Sequence, residues 1–340
     1  MKPRIMMISM KSNLRTMRYI GLLLMFIFCL TAQNMMAQRG KLFNSDNQLS
    51  SNFATQVFQD SNGFIWIATR NGLNIYDGYN FTTIRKTKED HRGLSSNYIN
   101  CITQDIQGHI LLGTNNSLLL YNGKSFANIP LLDSKNQPFS TYVTQVYRLK
   151  NNDIAVVTSG YGIMLKKENA EVCYAMKGEV ENLKFIHKIL EDKQDRLWII
   201  LENGKLYRAD KKGKLTKQIP GAETLEAKDI RQDNKGNIYL ATKNDGIYLL
   251  KAGSTIFTKI AGIGNLPIDN IYISRDQRLF IGCDGMGIFV YNPVTGFLQN
   301  NPLFSREVNL AKCKITSIIE DFTGNIWVSM LQKGVFMQSQ

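Results

Sequence analysis

The sequence predicts an all-β fold: a single seven-bladed β-propeller, its N-terminal strand closing the last blade. Three observations predict it. A short apolar strand recurs seven times behind a tight turn, and alignment on Trp66, Leu111, Ala155, Trp198, Tyr239, Phe280 and Trp327 gives intervals of 41–47 residues. A repeat of about 40–45 residues holding several short strands has the length of one four-stranded blade. The two ends of the chain, finally, carry complementary unpaired pieces.

Each repeat begins with an alternating strand, as in residues 54–58 and 98–102. In most copies Asp then opens a four-residue turn that glycine closes: residues 60–63, 105–108, 233–236 and 321–324. Asp in the first turn position bonds the backbone ahead of it, and glycine in the fourth tolerates positive φ. Three copies differ: residues 150–153 replace the turn, the fourth repeat ends it in Asp195, and the sixth uses residues 274–277.

The second strand is apolar on both faces, as in residues 64–68 and 197–201, so it needs cover on both. Stacking between two blades supplies that cover. A further glycine turn (Gly72, Gly162, Gly204, Gly246, Gly287, Gly334) leads to a third strand rich in Tyr, Leu and Ile. The fourth strand, such as residues 80–85, is more polar, as an outer edge should be.

The seventh repeat stops after its third strand, residues 334–337, while residues 40–44 precede the first repeat with no blade of their own. Leu49-Ser-Ser-Asn-Phe53 follows them and echoes Leu94-Ser-Ser-Asn-Tyr98. The leading segment is therefore expected to be the missing outer strand of blade seven.

The chain begins with Lys2, Arg4, Lys11, Arg15 and Arg18, then an apolar run at 20–30 and small residues at Ala32 and Ala37. Eleven apolar positions are short against the roughly 20 that a bilayer span takes. Residues 1–37 thus read as a secretory signal peptide and 38–340 as the propeller; a membrane enters only if the leader stays uncleaved. Removing those five basic residues lowers the net charge from +13 to +8. Basic residues do not alternate with aromatics in a run, which argues against nucleic acid. Cys101, Cys173, Cys283 and Cys313 lie in separate repeats without a C-x-x-C, so isolated core thiols are expected rather than bridges or a metal site.

Residues 60–77 carry Asp-x-x-Gly-x-Ile-Trp-Ile-x-Thr-x-x-Gly-Leu-x-x-Tyr-Asp, followed by Gly78-Tyr-Asn-Phe81 and Gly93-Leu-Ser-Ser-Asn97. This order resembles the two-component regulator propeller repeat, found in the periplasmic sensor region of Bacteroidetes hybrid two-component systems. The resemblance implies a periplasmic sensor of carbohydrate breakdown products that controls glycan-utilisation genes. Complete members carry a second propeller, an immunoglobulin-like domain, a membrane helix, a histidine kinase and an output domain, none of which fits in 340 residues. The expectation is a truncated or detached sensor propeller. An oligosaccharide or other glycan fragment is its expected ligand, and a second propeller or sensor domain its expected partner.

No catalytic constellation, metal site or cofactor motif occurs, so no enzyme is expected. His91, His109 and His187 are far apart, and His187 falls where a first strand belongs. The repeating Asp60, Asp105, Asp192, Asp233 and Asp321 read as structural, and the tryptophans as core. A ligand is expected on the face where second-to-third-strand loops and blade-to-blade loops meet around the axis. The first set holds Arg70, Asn71, Asn115, Asn116, Tyr161, Glu202, Asn203, Lys243, Asn244, Asp284, Gln332 and Lys333. The alternatives are a propeller enzyme such as a lyase, with His91 or His109 meeting a carboxylate, and a protein-interaction platform.

Overall fold

In the computed structural model, residues 40–87, 93–300, 303 and 309–339 are described. The expected leader and His91 lie outside them. Seven sheets follow one another along the chain, antiparallel except for one added pair in the third. Their first strands are Ala54–Gln59, Ile99–Gln104, Val143–Arg148, Ile186–Glu191, Ala227–Gln232, Ile268–Ile273 and Ile315–Glu320. Successive first strands pack on one another, the last on the first, and so form the inner ring.

In five blades the 1–2 turn is held by its own aspartate. Asp60 Oδ1 accepts from the amides of Asn62 and Phe64 at 2.9 and 3.0 Å, while Trp66 Nε1 donates to Oδ2 at 2.8 Å. Asp192 and Trp198 repeat the contact at 2.7 Å, and Asp321 and Trp327 at 2.8 Å. The tryptophan can therefore be buried without stranding its indole N–H. Where the large residue is not Trp, a neighbour takes Oδ2: His109 Nδ1 lies 3.0 Å from Asp105, and Asn237 Nδ2 donates to Asp233 at 2.7 Å.

The three atypical turns keep the same backbone. Asn152, Asp195 and Gln277 stand at φ 68°, 56° and 66° where Gly63 and Gly324 stand at 92° and 96°. The third turn corrects the expected register by one residue: it spans 149–152, since Asn152 N donates to Leu149 O at 2.9 Å. Asp153 follows the turn instead of closing it.

The second strands are buried along almost their whole length. Their side chains fill clusters that each span neighbouring blades; Trp66, Ala68 and Leu73 meet Ile99, Ile102 and Leu112. The closing cluster joins Phe43, Trp327 and Val335 to Ala54, Val57, Ile65 and Ile67. Strand Gly40–Phe43 pairs with Gly334–Gln338, from Gly40 opposite Gln338 to Phe43 opposite Val335. The echo noted in the sequence has a structural cause. Asn52 O accepts from Gly334 N at 2.9 Å, as Asn97 O accepts from Gly72 N at 2.8 Å.

Blade three departs from the pattern. Leu131–Leu132 and Pro138–Phe139 extend its outer edge to six strands, Leu131 running parallel to Cys173. Cys101, Cys173, Cys283 and Cys313 are free and buried.

Candidate functional site at the axial mouth

The residue before each first strand accepts from the amide at the end of a second strand. Arg70, Asn115, Ser159, Glu202, Lys243, Asp284 and Leu331 donate in turn to the carbonyls of Phe53, Tyr98, Tyr142, Phe185, Glu226, Pro267 and Lys314, at 2.8–3.2 Å. Seven equivalent bonds hold both loop sets on one face, around the mouth of the central channel. Their side chains are not equivalent. Blades one to four present Phe53, Tyr98, Tyr142 and Phe185; blades five to seven present Glu226, Pro267 and Lys314.

The aromatic half is continuous over its first three members. Arg70 stacks over Phe53 and Tyr98, 5.6 and 5.2 Å from their centroids, and Tyr98 meets Tyr142 edge-on at 6.3 Å. Burial, then Tyr98, pushes the Tyr142 phenol up to about 12, so it remains a donor. Phe185 is 56% exposed. It stands at φ 52°, in the left-handed region that a bulky side chain rarely occupies.

The other half is closed by ion pairs. Lys243 meets Glu226 at 3.2 Å, and Lys314 meets Asp284 and Asp269 at 2.8 and 3.1 Å.

Below the mouth, each first strand bulges by one residue. Thr55, Asn100, Thr144 and Thr316, all at bulges, donate to the first-residue carbonyl of the next blade at 2.7–3.1 Å. His187, Lys228 and Asp269 hold this position in blades four to six. His187 keeps exposed surface, yet burial of its ring, with Lys188 beside it, pushes the imidazole down to about 4. Next to it, Lys188 and Arg231 meet buried Asp229 at 2.7 and 3.1 Å. Burial and Arg231 push Lys188 down to about 8. Burial would raise Asp229, but Arg231 and Lys188 outweigh it and hold its carboxyl below the usual range.

All twelve loop residues expected at a site lie on the 2–3 loops, but the loops use several of them internally. Asn115 accepts from Ser96 Oγ at 2.7 Å and Asn116 from Thr114 Oγ1 at 3.0 Å. The backbone carbonyl of Asn71 accepts from Arg85 Nε at 3.3 Å, and Asn203 Oδ1 from Lys205 N at 3.1 Å. Tyr161 stacks on Phe139 of the added strand at 4.2 Å. Glu202 accepts from Ser159 Oγ at 3.0 Å, Lys243 and Asp284 are paired as above, and Asn244 is exposed. Gln332 and Lys333 line a cleft of about 440 Å³ beside Asn44, Asn52 and Asn309. Arg70 joins the aromatic half. The four aromatics themselves were not among the expected residues, although each precedes its first strand in the same phase of the repeat.

His187 lies on a first strand as expected, and His109 sits on the opposite face, bound to Asp105. Asp60, Asp105, Asp192, Asp233 and Asp321 are each occupied by their own turns.

Two stretches, residues 48–71 and 93–116, match the two-component regulator propeller repeat. Histidine kinase P4 of Formosa agariphila is 35% identical over 78 residues, 22% of this chain and 6% of the kinase. The extracellular domain of a hybrid two-component system of B. thetaiotaomicron superposes with TM-score 0.73 at 22% identity, covering 88% of this chain and 42% of that one. A streptogramin B lyase superposes with TM-score 0.68 at 15% identity, over 89% of this chain and 98% of the lyase. The chain thus spans less than half the length of the kinase and of the ectodomain that it resembles. It carries the two-component regulator propeller repeat in its first two blades, on a seven-bladed ring whose fold is shared with part of that ectodomain.

Proposed function

We propose that this chain is an exported, periplasmic binding propeller that recognises a carbohydrate fragment at its axial mouth and performs no chemistry on it. The observation that carries this reading is the aromatic arc from Phe53 to Tyr142 with Phe185 beyond it, aligned with hydrogen-bonding loop ends. Aromatic faces suit the apolar faces of sugar rings, and amides, hydroxyls and charges suit their hydroxyls. The likeness to sensor ectodomains supports the same reading.

Calorimetric titration with a glycan panel tests it. Saturable binding should weaken about five- to tenfold on Tyr142→Ala, the loss of one aromatic contact worth roughly 1 kcal/mol. Absence of heat with every glycan, from a protein that is folded by circular dichroism, would refute it.

The lyase likeness favours a second reading. His109 is turned away from the mouth, so within the described residues such chemistry would fall on His187. Turnover of any glycan or of a streptogramin B, lost on His187→Ala or His91→Ala, would establish that alternative.

A further inference from the structure

We infer that the mouth selects a sugar bearing an oxyanion, a carboxylate or a sulfate, and that Arg70 is the group that binds it. The inference rests on the carbohydrate reading above and narrows it to one chemical class.

The mouth treats its cations unequally. Lys243 and Lys314 are each answered by carboxylates; among the described residues Lys333 and Lys228 are not, but no ring holds either of them as two rings hold Arg70. Arg70 is exposed, and among the described residues no carboxylate pairs with it. It is nevertheless held in place. Its backbone amide bonds Phe53, and its guanidinium lies over the rings of Phe53 and Tyr98. Among the described residues no hydrogen bond or carboxylate engages the N–H groups of this guanidinium, and its planar fork matches two oxygens of a carboxylate or sulfate. Because the group is already immobilised, binding costs it less side-chain entropy than a free surface arginine would lose.

Neighbouring groups give the site a direction. Tyr142 adjoins Tyr98 and is 40% exposed, so it can support the ring that bears the acid group. Around the mouth, the Glu202 carboxylate has no cationic partner among the described residues and disfavours a second anion at blade four, whereas Glu226 is offset by Lys243. The acidic end is thus directed to blades one and two, and a neutral end to the far side.

The test is calorimetric titration of the whole chain with a uronate trisaccharide, its carboxyl-reduced neutral counterpart and a sulfated trisaccharide. At least one anionic sugar should bind about tenfold or more tighter than the neutral one, with affinity falling as salt rises. Which of the two binds identifies the source of the oxyanion. Arg70→Gln should weaken that sugar about ten- to hundredfold and leave the neutral sugar unchanged; Arg70→Lys, which keeps charge without the fork, should recover part of the loss. Equal binding of neutral and anionic sugars, or no loss on Arg70→Gln, would overturn the inference while leaving the carbohydrate reading intact. No binding of any of the three, with an unchanged far-ultraviolet spectrum, would remove both.

Discussion

At the scale of single residues, the turn aspartates explain why three tryptophans sit in the core. Trp327 is 1% exposed, and its indole N–H ends on Asp321 Oδ2. The other oxygen accepts from Thr323 N and Asn325 N, both at 2.9 Å. Asp321→Ala would leave a buried donor unsatisfied and is expected to cost about 2–3 kcal/mol, read as a lower urea midpoint at constant slope. The same carboxylate predicts a pH effect. Burial alone would raise it, but the donors from Trp327, Thr323 and Asn325 hold it below its ordinary value of 3.8. The unfolded chain therefore protonates first on acidification. Stability from this group is complete above the unfolded value and is lost as pH falls through the folded one. The midpoint of the native protein should consequently drop more between neutral pH and pH about 3 than that of Asp321→Asn. Equal drops would show that Asp321 adds nothing to acid sensitivity.

At the scale of elements, blades are laced together at both ends of the inner ring. On the mouth side the bulge residues do this. On the opposite side Gln59, Gln104 and Gln232 accept from amides in the preceding blade's turn at 2.7–2.8 Å, and Glu191 and Glu320 do likewise. Blade six has Ile273 in that position, and Gln277 in its left-handed turn accepts from Asn234 N instead. A neighbouring side chain has taken over the bond, which explains how this turn tolerates a residue other than glycine. Pairing within blades is also matched by size. Asn270 lies opposite Gly282, as Cys101 lies opposite Gly113. A Cβ at Gly282 would meet Asn270 Oδ1 and Ile315 Cγ2, both at 2.9 Å. Gly282→Ala is therefore expected to cost about 1–3 kcal/mol by overpacking, seen as a reduced melting temperature. An unchanged value would mean that the two blades can separate without penalty.

At the scale of the whole molecule, the ring depends on a contact between residues nearly 300 positions apart. Phe43 is fully buried and stacks on Trp327 at 5.7 Å with an interplanar angle of 11°. It brings the closing strand against both blade seven and blade one. Phe43→Ala should cost about 3–5 kcal/mol, and one unfolding transition should persist because every blade relies on two neighbours. A separate early transition confined to blade seven would show instead that the seam opens independently.

The blade count, the closing strand and the structural role of the aspartates were legible in the sequence. Each rests on local chemistry: a turn aspartate, a left-handed fourth residue and a doubly apolar strand recur within a dozen positions, whatever the rest of the chain does. Even the turns at Asp195 and Gln277 were placed correctly without glycine, and only the one at 149–152 slipped by a residue. The aromatic arc, the guanidinium of Arg70 over two of its rings and the added strands of blade three were not legible. The mouth takes one side chain from each repeat, so its members stand some forty residues apart with nothing local to mark them. Folding the chain into a ring is what turned seven ordinary pre-strand positions into one surface, aromatic on one side and ion-paired on the other.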